Sequence, residues 1–317
     1  MNFLNGQWSI AKYGSADANT SLAELSADTG ANWVALTYCH FQPSVDSPGP
    51  IYPRKTSPTD AQLAAGVAAA RATNVSVFFR PCVDPDWSLP ASHNTWRGQI
   101  GRHFNASDWD EWFLAYDAFI VPQAQLASRL GVELFAVGLE YVVPSQQAAH
   151  WRRTVAKIRA AAPGLRLTYC ANHGNEHHVA WWDAVDDIAV DAYYSLAPNE
   201  QAPSRAALVA AWAPITAHLA ALSRANGNKS VTFAEIGYCS VTGANNDPAH
   251  CGGGHTLNAT AQTVLYEAFF EAVYPQPWFA GVFWWSWSTA ATGGGPTDEG
   301  FSPRGKPAAA VLKRHYQ

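Results

Sequence analysis

Short runs rich in β-branched and aromatic residues alternate along this chain with alanine-rich stretches whose apolar positions recur every three or four residues. The first kind fits a strand buried in a sheet, and the second an amphipathic helix packed on it. Eight strands are predicted: "NFLNGQW" from Asn2, "WVALTYC" from Trp33, "VSVFFRP" from Val75, "LFAVGLE" from Leu134, "LRLTYCA" from Leu165, "DIAVDAYY" from Asp187, "VTFAEIG" from Val231 and "GVFWWSW" from Gly281. An equal number of helical stretches is expected, among them "TSLAELSADTG", "DAQLAAGVAAARAT", "DWDEWFLAYDAFIVPQAQLASRLG", "QQAAHWRRTVAKIRAAAPG" and "ATAQTVLYEAFFEAVY". Several end in Gly or Pro, as helix stops do. No Ser/Gly-rich linker divides the chain, so residues 1–317 read as one domain of the α/β class, a (β/α)8 TIM barrel.

Two of these apolar runs carry a carboxylate near their C-terminal ends, Glu140 in "FAVGLEY" and Glu235 in "VTFAEIGY". A charge is expensive to bury unless it is paired or hydrogen-bonded. A lone strand-end Glu caps a loop or pairs with an Arg as readily as it performs chemistry, so position must decide. The 95 residues from Glu140 to Glu235 span three units of about 32 each, against roughly 31 in a barrel of about 250 residues. The two glutamates would then end strands four and seven, at the face where barrel active sites lie. Two carboxylates across a barrel mouth are what glycoside hydrolysis requires, about 5–5.5 Å apart for retention and near 9 Å for inversion. Arg80, Tyr193, Tyr194, Trp284, Trp285 and Trp287 stand at other strand ends. Alternation lets only some of them face inwards, and Trp285 is favoured over Trp284.

Composition narrows the partners. With 48% hydrophobic and 14% charged residues the chain is globular, and a net charge of −5 without any Lys/Arg run argues against nucleic acid or an anionic membrane. A neutral partner fits better. Fourteen Trp, twelve Tyr and fourteen Phe are many for this length; several Trp, including Trp87, Trp96 and Trp278, fall in loop-like stretches, where flat faces suit sugar rings. No segment approaches the apolar length of a membrane span, and "MNFLNGQWSI" lacks the form of a signal peptide. Sequons at Asn19, Asn74, Asn105, Asn228 and Asn258 lean towards a secreted protein whose leader has been removed, with Asn74 too close to a buried strand to serve. Five Cys without CxxC spacing weaken zinc and thioredoxin-like readings. Cys239 with Cys251 and Cys39 with Cys82 could pair in an oxidising compartment; inert buried thiols are the equal alternative.

Other motifs carry less. His173, His177 and His178 lie near Glu176 in "NHGNEHH", after strand five, but the HExxH pattern is absent, and a substrate-lining or solvated loop is expected rather than a metal site. The Gly-rich "HCGGGH" and "ATGGGPTDEG" lack phosphate-cradle spacing and read as mobile loops bordering the cleft. Asp84 and Asp86 could bind sugar hydroxyls or shape a turn.

The ordered set "FFRPCVDP", "TWRGQIG", "DWDEWFLAYDAFI", "FAVGLEY", "VDAYYS", "FAEIGY", "FWWSW" resembles glycoside hydrolase family 113, retaining β-mannanases of a large β/α-barrel clan. The resemblance runs from "GQWSIAKYGS" to the last strand. It implies Glu140 as general acid/base, Glu235 as nucleophile, and sugar contacts from Trp8, Arg80, Trp96, Arg97, Tyr193 and Trp285. It implies β-mannan or manno-oligosaccharide as substrate; no metal or cofactor is expected, and the sequons add the expectation of a protein acting outside the cell or in a lumen, taken as a monomer. Leu139 precedes the acid/base where most of the clan has Asn, a change that the family shares. Cys82 stands where the family would carry His. The alternatives are another retaining β-glycosidase of the clan, acting on β-glucan or from chain ends, and a carbohydrate-binding barrel, which would require loss of a carboxylate that this chain retains.

Overall fold

The computed structural model describes residues 1–4, 12–251 and 256–317. Its strands are β1 (Asn2–Leu4), β2 (Trp33–Gln42), β3 (Ser76–Pro85), β4 (Leu134–Leu139), β5 (Leu167–Asn172), β6 (Asp187–Asp191), β7 (Val231–Ile236), β8 (Phe279–Trp284) and β9 (Trp287–Ser288). They form one all-parallel sheet in the order β8-β7-β6-β5-β4-β3-β2-β1-β9. β8 and β9 are two segments of the predicted eighth strand. The first pairs with β7 and the second with β1, so the chain between them closes the barrel.

Alternation along the strands separates two cores. Ala35, Phe78, Ala136, Cys170, Ala189 and Ala234 belong to a small cluster inside the barrel. Their neighbours Leu36, Phe79, Val137, Tyr169, Val190 and Phe233 belong to a much larger one between sheet and helices. Alanine and cysteine are frequent among the inward side chains because an eight-stranded barrel has little interior, which a few larger ones such as Phe78 and Phe283 fill, and most bulky side chains face the helices.

The helices are α1 (Ala16–Thr29), α2 (Asp60–Ala72), α3 (Ala106–Leu130), α4 (Ala148–Ala161), α5 (Arg205–Ala225), α6 (Ala259–Ala272) and α7 (Pro307–Tyr316). Local chemistry sets their limits. Thr59 with Gln62 and Asn105 with Asp108 form capping boxes, and α1 and α3 end on Gly30 and Gly131 at φ +71° and +64°. Along α3, Trp109, Trp112, Phe113, Tyr116, Phe119 and Ile120 form the buried stripe.

The expected eight helices become seven among the described residues. Between β5 and β6 stand only two 3-10 turns, Glu176–His178 and Trp182–Ala184. The Trp181 and Trp182 indoles donate there to the carbonyls of Ser145 and Glu176, anchoring a connection that has no α-helix.

A second expectation also needs correcting, because α5 is long and apolar enough to cross a membrane by length and composition. Alanines supply much of that apolarity, while Leu208, Trp212 and Leu219 are buried on its barrel-facing side. Four sequons have local structural reasons as well: Asn105 and Asn258 are N-caps, and Asn74 and Asn228 hold left-handed φ values of +56° and +58°.

Candidate active site

The C-terminal ends of the strands carry a buried polar cluster above the apolar interior. Arg80 follows Phe78 by two residues and therefore points inwards, fully buried. Its Nη1 donates to Glu235 Oε1 at 2.7 Å and to Asn2 Oδ1 at 2.7 Å, and its Nη2 donates to Asp191 Oδ1 and Oδ2 at 2.8 and 3.0 Å. Asn2 is fixed in turn, donating to the carbonyls of Ala234 and Phe283 and accepting from the Thr37 hydroxyl.

Glu235 owes its place to an irregularity in β7. Strict alternation would put it on the outer face with Phe233, but the register with β6 and β8 shifts between Phe233 and Ile236. Such a bulge re-aims the following side chain. Glu235 turns inwards, where Oε2 accepts the Tyr193 hydroxyl at 2.8 Å and Oε1 takes Arg80. Both partners are donors, so each oxygen of the carboxylate is satisfied.

Glu140 follows β4 directly, after a second register shift between Ala136 and Leu139. Its backbone has φ +54° and its N–H donates to the Cys170 carbonyl at 2.8 Å. The Arg97 Nη1 lies 3.6 Å from its Oε2, while the rest of that guanidinium is occupied by Asp84, at 2.6 Å from Nε and 3.0 Å from Nη2. Burial, and next the negative charge of Glu235, push the Glu140 carboxyl up to about 7, against the opposing pull of Arg97 and Arg80. The site thus pairs a carboxyl that keeps its proton near neutrality with a carboxylate gripped by a cation and a phenol. That combination can protonate a leaving oxygen and attack the carbon that bears it.

The remaining predicted residues are sorted by alternation. Tyr193 is buried beside Glu235, and Tyr194 turns outwards to donate to Glu176 Oε1 at 2.8 Å. Trp284 packs outside the barrel, stacked on Tyr266 at 3.8 Å with its N–H on the Tyr316 hydroxyl. Trp287 is also in the outer core, which leaves the half-buried Trp285 on the inner side. Trp285 approaches so closely that a Cβ on Gly237 would meet its carbonyl oxygen at 2.3 Å. Trp96 is exposed, whereas Arg97, next to it in the chain, is buried. Arg80 has no exposed surface, so holding Glu235 takes the place of the sugar contact expected of it. Trp8 lies outside the described residues.

Sequence reasoning missed Asp191 and Asn2, and left Asp84 undecided. Asp191 carries the same signal as Glu235, a lone carboxylate ending an apolar strand in "DIAVDAYY". Asp84 lies inside β3, which runs on to Pro85, and is fully buried against Arg97. Asp86 instead organises the loop, accepting from Arg54, Tyr52 and Ser88.

Cys39 and Cys82 are register partners on β2 and β3 and are joined by a disulfide, as are Cys239 and Cys251; Cys170 is free and buried. The position where the family would show His is therefore filled by half of a cystine. The sulfurs of Cys39 and Cys82 cluster with Asp84, but they are bonded to each other and offer no thiolate to a metal. His177 and His178 are exposed, whereas Glu176 is buried between Tyr194 and His218. The Gly-rich loop after β9 is tied down by two cations. Arg304 donates to the carbonyls of Ala290 and Gly293, and Lys306 to Ser240, Asp298 and Gly300.

Residues 5–306 match the family model of Glycoside Hydrolase Family 113. The chain belongs to this family. As a family 113 member it is a glycoside hydrolase, and its barrel matches solved structures of that family. The β-mannanase AaManA from Alicyclobacillus acidocaldarius, solved in complex with ManMIm, is 29% identical, with a TM-score of 0.82 over 96% of this chain and 92% of that one. A family 113 β-1,4-mannanase at 24% identity matches with a TM-score of 0.86 over 100% of this chain and 99% of that one. The likeness to a β-glucuronidase of Faecalibacterium prausnitzii, at 14% identity and a TM-score of 0.62 over 95% of this chain and 45% of that one, concerns the fold alone. None of the curated proteins matches in sequence.

Proposed function

We propose that this family 113 enzyme is an endo-acting β-mannanase that cleaves β-1,4-mannosidic bonds with net retention. One observation carries the mechanism: Glu140, with its carboxyl raised to about 7, and Glu235, held by Arg80 and Tyr193, end the two strands β4 and β7. Glu235 attacks the anomeric carbon and the glycosidic C–O bond breaks as Glu140 delivers its proton to the departing oxygen. A covalent glycosyl–Glu235 ester results. Water then attacks the same carbon, giving its proton to the Glu140 carboxylate, and the ester bond to Glu235 breaks. Both carboxyl groups return to their starting states, and the configuration has been inverted twice.

Arg97 and Tyr193 contact this pair; Trp96, Trp285 and Trp8 are assigned with them to sugar binding, and mannan or manno-oligosaccharide is the substrate. The β-mannanase named in the 29% identical relative supports that choice. The reading includes a monomer working outside the cell or in a lumen, in keeping with two disulfides.

The test is the product profile on β-1,4-mannan, β-1,3-mannan, β-glucan and an aryl β-mannoside, for wild type and Glu235→Ala. Short manno-oligosaccharides from β-1,4-mannan with wild type alone are expected. Turnover confined to another β-glycan overturns the substrate, and wild-type-like activity in Glu235→Ala overturns the mechanism.

A further inference from the structure

The loop that leaves β3 starts and finishes at the candidate site. Asp84, near its start, is bound by Arg97, at its end, and Arg97 also faces Glu140. Two large indoles lie exposed along this loop, Trp87 at 42% and Trp96 at 38%. Scattered exposed aromatics are ordinary, but these two are held in place. The only hydrogen-bond donor of the Trp87 indole is committed to the Thr95 carbonyl at 3.0 Å, which fixes the ring edge beside Trp96. The Trp96 ring lies so close over Gly98 that a Cβ there would meet it at 2.4 Å, so one face rests on backbone while the ring keeps its exposure.

The loop beneath is similarly tied. Ser92 donates to the Pro43 carbonyl and Thr95 to the Ser92 carbonyl. Trp87 follows Asp84 by three residues, at most about 10 Å of backbone, and its N–H reaches the residue before Trp96, so both exposed indoles belong to the loop that Asp84 and Arg97 tie to the site. Fixed, solvent-facing aromatic surface loses little freedom when an apolar ring face settles on it.

We propose that Trp87 is a distal sugar platform, extending the cleft beyond Trp96 so that a long β-mannan chain is bound better than a short one. The occupant is the polysaccharide itself, because the loop that carries the two exposed indoles also carries Arg97, which faces Glu140 of the cleaving pair. The inference rests on the mannanase reading above. Each stacked ring adds affinity only for substrates long enough to reach it, so Trp87 sets chain-length preference without touching the reacting atoms.

The experiment compares kcat/KM for mannohexaose and for a short aryl β-mannoside in wild type, Trp87→Ala and Trp87→Phe. The expected result is about a tenfold fall in the hexaose-to-short ratio for Trp87→Ala, carried mainly by KM, with much of it restored in Trp87→Phe. A wild-type enzyme that turns over mannan while Trp87→Ala keeps the wild-type ratio overturns the platform alone. Equal losses on both substrates do so as well, since they mark a residue that merely shapes the site. Silence of the wild type on every β-mannan overturns the mannanase reading and this proposal with it.

Discussion

Phe233 and Glu235 leave β7 on opposite faces although they are two residues apart: Phe233 packs against Trp212 and Phe269 of the outer helices, and Glu235 meets Arg80 inside the barrel. An unbroken strand would place both on one face. The irregularity between them is what turns an outward-bound carboxylate towards the mouth, where the Arg80 guanidinium is already fixed by Asn2 and Asp191.

That guanidinium is fully buried and serves two carboxylates at once. Arg80→Met leaves both buried without a countercharge, so a loss of about 3–5 kcal/mol is expected in urea unfolding. Arg80→Lys keeps the charge but not the fork, and should lose less stability while still turning over more slowly. A wild-type unfolding midpoint in Arg80→Met would contradict the assignment.

Tyr193→Phe removes one hydrogen bond to Glu235 Oε2 and little else. A hydrogen bond to a charged group contributes roughly 1.5–3 kcal/mol. The expected effect is a fall in kcat of about ten- to hundredfold with KM nearly unchanged. A change in KM alone would make Tyr193 a sugar contact and not a holder of the nucleophile.

Glu140 governs the alkaline side. With its carboxyl raised to about 7, the proton donor is lost above neutrality, so kcat/KM should fall with rising pH along a limb centred near 7. Stability follows the same group. The folded chain keeps this proton where the unfolded chain gives it up, so stability contributed by Glu140 is present below the unfolded value near 4.5 and is lost as pH rises to about 7. The loss is on the order of 3 kcal/mol. Glu140→Gln should therefore lose activity by about 10²–10⁴-fold and, at pH 8, unfold at higher urea than wild type. Urea curves that coincide at pH 8 would show that the ionised carboxylate is not destabilising.

The barrel was legible because its strands and helices announce themselves by two different periods, and the glutamates because a charge at the end of an apolar strand stands out. The face on which Glu235 lies was not. Period-two reasoning from Phe233 gives the wrong side, since a bulge depends on register with neighbouring strands and leaves no mark in "VTFAEIG". Asp191 was readable by the rule that selected Glu235. Asn2 was not, because its role exists only once β1, β3 and β7 are brought together. The missing helix between β5 and β6 reflects a stretch whose tryptophans find partners without helical turns, an outcome decided by tertiary packing.

The two disulfides should behave differently. Cys39 and Cys82 sit opposite each other on adjacent strands, 4.4 Å apart at Cα, both buried, and close a loop with a sequence separation of 43. Cys239 and Cys251 span only 12 residues, and Cys251 is exposed. Loop-closure entropy assigns about 4 kcal/mol to the first and about 3 kcal/mol to the second. Cys39→Ala with Cys82→Ala should therefore be the more destabilising pair in urea unfolding, and it also removes the sulfur that Arg97 Nη2 approaches at 3.9 Å. Accessibility sets the order of reduction. In the folded protein a mild thiol should open Cys239–Cys251 first, seen by alkylation and peptide mass, while Cys39–Cys82 yields only as the barrel unfolds. Early labelling of Cys82 in the folded enzyme would show that the interior near Arg97 is open to solvent, contrary to the packing described.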